Sequence, residues 1–355
     1  FPGRNRATSD AAMADRWPLN QKLSGGRAMK LLRMAALAAA TLIVGSASAE
    51  TVKIANIGHG YYSGALYVAV QEKLFQKYGL EPEVSYVQGG PLALQAVLTK
   101  QADVGILSYE HVLTVAVQGK RIVSFFNIAN RPVNNVIASD KLMAGSEKLS
   151  IADKIKRLKG QRVAMPSANG SGEKMLGVLA KKYGLTLPGD ISSVYLGAEA
   201  PSYVAAFQKD LVDAALPFEP AGVLVQQSGK GKIYLNMMNG EIPEFRDILF
   251  MTLATHPDVI KERPDMLRKV AQVFTEAQKI LKDDPKRGMA IMAKEYPSME
   301  PATNAEAYKT VSQIWTKDGH MTEAQARGTF AYLQPKGPAE VDFPATFTNE
   351  FVPKK

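Results

Sequence analysis

Cysteine is absent from all 355 residues. Its absence excludes disulfides, thiolate nucleophiles, zinc–cysteine sites and iron–sulfur clusters. Histidine is scarce. His59, His111, His256 and His320 are scattered, no His-x-x-x-His or Glu-x-x-His spacing links them, and no metal site is expected. No low-complexity tract interrupts the chain. No basic block with interleaved aromatics is present, so nucleic-acid binding lacks support. No apolar run reaches the roughly 20 residues that a spanning helix needs.

What is present is an ordinary globular composition, 46% hydrophobic and 22% charged, in a chain long enough for two domains. Residues 29–49 read as a secretory signal. Met29, Lys30 and Arg33 form a positive start, an apolar run follows from Ala35 to Val44, and Gly45-Ser46-Ala47-Ser48-Ala49 supplies small residues for cleavage near Ala49. Residues 1–28 are polar and unpatterned, and Met29 is expected to be the true start, with a disordered or mis-assigned extension before it. Taking seven Lys/Arg from 43 and two Asp/Glu from 34, those of the first 49 residues, leaves a net charge of +4 in place of +9. A soluble, periplasmic mature protein is expected.

From Thr51 onward strand-like and helix-like patterns alternate. Strands are predicted at 52–57, 84–87 and 103–107, and one helix is predicted through Leu66, Val70, Leu74 and Tyr78, stopping at Gly79. The pattern restarts with strands at 136–138, 161–165, 194–196, 212–216 and 233–235, then an apolar strand at 248–253. Beyond it the chain reads as helical. The clearest helix, at 264–281, carries Met266, Leu267, Val270, Val273, Phe274, Ala277, Ile280 and Leu281 on one stripe. Further helices are predicted at 285–294, 303–315 and 322–333, and the proline-bearing tail after Gln334 is expected to lie extended on the surface. This is an α/β chain with two mostly parallel sheets flanked by helices. Ligands in such sheets sit beyond the carboxyl ends of strands, where helices begin.

Tyr61-Tyr62-Ser63-Gly64-Ala65-Leu66-Tyr67-Val68-Ala69, Gly89-Gly90-Pro91 and Ala102-Asp103-Val104-Gly105 resemble the first lobe of the nitrate-, sulfonate-, taurine- and thiamine-precursor-binding proteins. Leu158-Lys159-Gly160-Gln161-Arg162-Val163-Ala164-Met165-Pro166-Ser167 and Leu211-Val212-Asp213-Ala214-Ala215-Leu216-Pro217-Phe218-Glu219-Pro220 are similar to that family's second lobe. The resemblance implies the two-lobed type II periplasmic binding fold, with crossings near 130–135 and 246–250. Lobe 1 would comprise 50–131 and 247–355, and lobe 2 residues 132–246. It also implies a small-molecule ligand and delivery to the membrane permease and ATPase of an ABC importer. A monomer without cofactor or catalysis is expected. The cysteine-dependent branch of the family that makes the thiamine pyrimidine cannot be carried over.

Candidate ligand-binding residues follow the strand ends. Tyr61 and Tyr62 could wall a ligand, or pack as a turn and core, while Ser63 caps the helix. Gly89 and Gly90 open a helix where backbone could approach a ligand, or form a tight turn. Ser108, Tyr109 and Glu110 occupy the next cleft position. Ser167, Asn169, Gly170 and Ser171 could cradle an anion, or form an ordinary cap; the loop lacks the Gly-Lys-Ser/Thr ending of a phosphate-binding Walker loop. Phe218 could close the cleft, and Glu219 could meet an amine or make a structural salt bridge. Asn130 and Arg131 sit at a presumed crossing, where Arg131 could pair an anion or brace the hinge. Non-covalent capture of a sulfonate, taurine-like, carboxylate or aromatic thiamine-precursor-like solute is the leading reading. An exported enzyme built around Glu110 or Glu219, and a sensor module for a membrane receptor, are the alternatives.

Overall fold

The structure, a computed structural model, describes residues 49–333 and 341–354. The leader and the extension before it lie outside the described residues, Ala49 excepted.

The strands are β1 (Glu50–Asn56), β2 (Leu80–Tyr86), β3 (Val104–Ser108), β4 (Val123–Ala129), β5 (Val136–Ser139), β6 (Arg162–Met165), β7 (Ser192–Tyr195), β8 (Ala214–Ala215), β9 (Gly231–Leu235) and β10 (Met251–Thr255). The principal helices are α1 (Gly64–Gln71), α2 (Gly90–Leu98), α3 (Tyr109–Val117), α4 (Ser171–Lys182), α5 (Ala200–Gln208), α6 (Ala221–Gln227), α7 (Pro264–Asp283), α8 (Pro285–Glu295), α9 (Pro301–Ser312) and α10 (Glu323–Leu333). Two five-stranded sheets result, in the orders β2-β1-β3-β10-β4 and β7-β6-β8-β5-β9.

Both sheets are mixed. β1 runs parallel to β2 and β3, and β6 parallel to β7 and β8. β10 pairs antiparallel with β3 and β4, as β5 does with β8 and β9. Each antiparallel strand is the first one laid down after the chain passes from one sheet to the other, so it enters against the direction of its neighbours. The two passages lie side by side. Ile248 N donates to Asn130 O at 3.1 Å and Phe250 N to Ala129 O at 3.1 Å.

Four elements differ from the sequence reading. β4 was missing from it, yet all seven of its residues, Val-Ser-Phe-Phe-Asn-Ile-Ala, are buried. Ser124 Oγ pairs with Thr252 Oγ1 at 2.8 Å, and Asn127 donates from its backbone N to Gly319 O at 2.8 Å and from Nδ2 to His320 O at 3.4 Å. The predicted helix through Tyr78 is broken. Lys73 takes a left-handed φ of 53°, a short helix restarts at Leu74–Lys77, and Val70 faces outward. The strand expected from residue 248 begins at Met251, because Ile248 and Phe250 are bonded to the neighbouring passage and Leu249 N to Gln325 O. The described part of the tail is not a surface strap: Phe343, Phe351 and Val352 are buried, and Phe347 bridges to Ser124. That bridge, with the Trp315–Ala129 bridge, covers β4, which would otherwise be an open sheet edge.

α7 forms as its periodicity requires. Pro264 stands in its first turn, where a missing N–H is harmless, and Met266, Leu267, Val270, Val273, Phe274, Ala277 and Leu281 are buried, with Ile280 at the margin. Buried Gln278 on the same helix donates from Nε2 to Ile128 O at 2.9 Å, locking α7 to β4.

Candidate functional site

The strand ends of both sheets meet at one small cavity of about 10 Å³, the room of roughly a single water molecule. Ile57 follows β1, Ser108 ends β3, Pro166 and Ser167 follow β6, and Phe218 follows β8; all four strand ends contribute to its wall. Gly89 and Gly90 line it from the start of α2, His111 from the first turn of α3, and Gly170, Ser171 and Gly172 from the start of α4. None of these three helices has a side-chain cap on its first turn. Three positive helix ends, two from one sheet's side and one from the other's, therefore converge there.

The faces are closely fitted. A Cβ on Gly89, whose φ is +91°, would lie 2.6 Å from Ser167 Oγ across the cleft. A Cβ on Gly90 would collide with His111 Nε2. The Tyr62 ring packs at 4.8 Å against Phe218, and Tyr61 N donates across the seam to Glu219 O at 2.8 Å.

Of the residues expected from sequence, Gly89, Gly90, Ser108, Ser167, Gly170, Ser171 and Phe218 line this cavity, and Glu110 and Tyr62 stand next to lining residues. The others are engaged elsewhere. Tyr61 donates its hydroxyl to Asn304 Oδ1 and stacks on Tyr296, facing α8 and α9. Ser63 does not cap α1; its Oγ accepts from Asn56 Nδ2 at 2.9 Å. Tyr109 Oη pairs with Thr346 Oγ1 inside the first sheet's core. Asn169 takes a left-handed φ of 57°, which turns it outward, and its N–H bonds Glu173 Oε2. Arg131 braces the two passages, donating to Arg246 O at 3.2 Å and Met238 O at 3.3 Å, and Asn130 reaches Asp247 there. Among the described residues Glu219 makes no salt bridge. It accepts from Val223 N at 3.0 Å, so the carboxylate serves the first turn of α6.

Burial sets the electrostatics. It drives the Glu219 carboxyl up to about 7, against the pull of the Val223 N–H. It drives His111 down to about 4, although Glu110 opposes the fall, so the imidazole is neutral at pH 7. The tyrosine hydroxyls of Tyr61 and Tyr62 are likewise pushed well up by burial.

Two polar side chains of the lining, His111 and Asn134, were missed. His111 occupies the third position of a helix opening into the cleft, a placement readable from the predicted strand end. Asn134 lies just before β5, and only the fold brings it in. Its Nδ2 donates to Leu216 O and Pro217 O, and its Oδ1 is buried without a partner. His59, whose ring stacks on Tyr86 at 3.8 Å, is exposed at the margin. Among the described residues no group of three His, Asp or Glu side chains could hold a metal, and no helix is long and apolar enough to cross a membrane. A larger open groove of about 1210 Å³ runs between α3, α4 and α10. Its wall mixes aliphatic side chains with Lys174, Lys181, Lys182 and Glu244, and none of its lining residues ends or directly follows a strand.

Two sheets, two adjacent passages and a cavity walled by both define the two-lobed fold of periplasmic binding proteins. The chain belongs to the NMT1/THI5-like family, whose profile matches residues 61–288. A putative binding protein of Brucella abortus (strain 2308) is 23% identical over 244 residues, 68% of this chain and 70% of that one. A solved protein of Bordetella bronchiseptica RB50 superimposes with a TM-score of 0.75 at 24% identity, over 85% of this chain and 95% of that one. The alkanesulfonate-binding protein SsuA from Xanthomonas axonopodis pv. citri, bound to MOPS, gives a TM-score of 0.66 at 16% identity, over 84% and 98% of the two chains.

Proposed function

We propose that this chain is the substrate-binding component of an ABC importer and captures a small organic anion, without altering it, in the cleft between its lobes. The observation that carries the reading is the convergence of three helix starts without side-chain caps, α2 and α3 from one lobe and α4 from the other, on one cavity. Such starts present N–H groups and positive dipole ends, which suit a sulfonate or carboxylate. Lobe 1 comprises 50–131 and 247–355, lobe 2 residues 132–246. The protein acts as a periplasmic monomer after cleavage near Ala49, and a permease and an ATPase on other chains receive its closed, loaded form. The naming of its relatives as binding proteins supports capture over turnover.

The test is native mass spectrometry of freshly purified protein, followed by thermal denaturation with whatever compound is released. A saturating solute at one hundred times its Kd adds roughly 2.7 kcal/mol of stability. A recovered compound that is chemically converted on incubation, or that leaves the melting temperature unmoved, contradicts the reading.

A further inference from the structure

Glu110 is only 1% exposed, and neither of its carboxylate oxygens has a hydrogen-bond partner among the described residues. It stands in the first turn of α3, between Ser108 and His111 of the cavity wall. Its Oε1 lies 3.3 Å from His111 Nε2, but that imidazole is neutral at pH 7. A carboxylate withdrawn from water in this way is costly unless an opposite charge offsets it.

The offsetting charge comes from the other sheet's side. Lys174 closes the first turn of α4, whose start lines the cavity, and its Nζ reaches to 3.8 Å from Glu110 Oε1. It also donates to Thr114 Oγ1, one turn further along α3, at 3.5 Å. A cation in a helix's first turn works against the helix dipole, so α4 itself gives no reason for a lysine there. Contact with α3 does. Among the described residues no other ion pair joins 132–246 to 50–131 or 247–355. The two partners are unequal. The Lys174 side chain is 24% exposed and that of Glu110 1%. Loss of the lysine therefore strands the carboxylate, whereas loss of the carboxylate leaves the lysine within reach of water.

We propose that Lys174 is a closure residue, which lets the lobes meet by offsetting, across the seam, a Glu110 carboxylate that their meeting withdraws from water. The device works without a solute, since the cavity between the faces has about 10 Å³, room for roughly one water molecule. Parting the lobes separates the two charges and returns each to solvent. This inference rests on the reading of the two sheets as lobes that part to admit a solute. It goes further by naming the charge pair on which their meeting depends.

The experiment is a pulsed electron-spin distance measurement on the ligand-free whole protein. The chain has no cysteine, so Lys209→Cys in 132–246 and Lys279→Cys in 247–355, both exposed positions, take the spin labels uniquely. The otherwise unaltered protein should show one main distance, that of lobes in contact. K174M should add a longer distance and raise the ratio of parted to joined lobes at least about tenfold. K174M with E110Q should return that ratio to within about twofold of the parent, because no charge is then stranded. A parent with parted lobes only, a K174M ratio equal to the parent's, or a double variant as open as K174M overturns the inference; the last result would mean that the lysine acts through its aliphatic stem. If K174M folds poorly, E110Q alone decides: it should be no more open than the parent, and lobes parted by E110Q overturn the inference. Capture of a solute is judged separately, by the native mass spectrum, whichever way these distances fall.

Discussion

The ring of Tyr62, from the loop after β1, rests at 4.8 Å and 59° against the ring of Phe218, from the loop after β8 of the other sheet. Each ring stands at the mouth of its own strand, so the pair is made only when the lobes are together. A double-mutant cycle of Tyr62→Leu and Phe218→Leu should give a coupling of about 0.5–1.5 kcal/mol in the liganded protein and less without ligand. Urea denaturation in both states reads it, and equal couplings would show that the contact does not report closure.

Gly89 has a φ of +91° and faces Ser167 Oγ across the cleft. Gly89→Ala adds strain of roughly 1 kcal/mol and wedges the lobes apart. Affinity for the co-purified solute should fall at least about tenfold while the melting temperature drops by only a few degrees. Unchanged affinity would mean that the two faces need not meet.

Glu219 is buried with its carboxyl raised to about 7. The folded state binds the proton more tightly than the unfolded state does, so its contribution is favourable below about 4.5 and is lost as pH rises through about 7. Glu219→Gln should therefore gain stability relative to the unaltered protein by roughly 3 kcal/mol between those limits. The amide oxygen can still accept from Val223 N. His111, lowered to about 4, acts in the opposite sense, its contribution being lost as pH falls from about 6.5 to about 4. The difference between Glu219→Gln and parent isolates the Glu219 part, and a flat difference across pH would contradict it.

Arg131 holds the two interlobe passages through Arg246 O and Met238 O. Arg131→Ala should cost about 1–3 kcal/mol in unfolding free energy. It should change solute affinity far less, because the side chain contributes nothing to the cavity wall. A selective loss of affinity with full stability would instead return Arg131 to the ligand site.

Much of the architecture was legible because strand and helix periods differ, as the α7 stripe from Met266 to Leu281 illustrates. β4 escaped because its burial on both faces removes the alternation that marks a strand, and its Ser124 and Asn127 read as loop polarity until their partners are known. The break at Lys73 escaped because Val70 fits an apolar stripe that the fold turns outward. In the cleft, glycines and serines at helix starts were readable, since the position itself is the signal. Asn134 was not, because it is brought in by a passage between sheets. Nor were the roles of Tyr61 and Tyr109, whose hydroxyls are claimed by Asn304 and Thr346, more than 200 residues away in sequence.

The most direct measurement is a crystal structure of the protein with its co-purified solute. The solute should lie intact between the lobes, within hydrogen-bonding distance of the first turns of both α2 or α3 and α4. A solute held by one lobe alone, lodged in the outer groove beside Leu113 and Val178, or broken into products, would contradict the account.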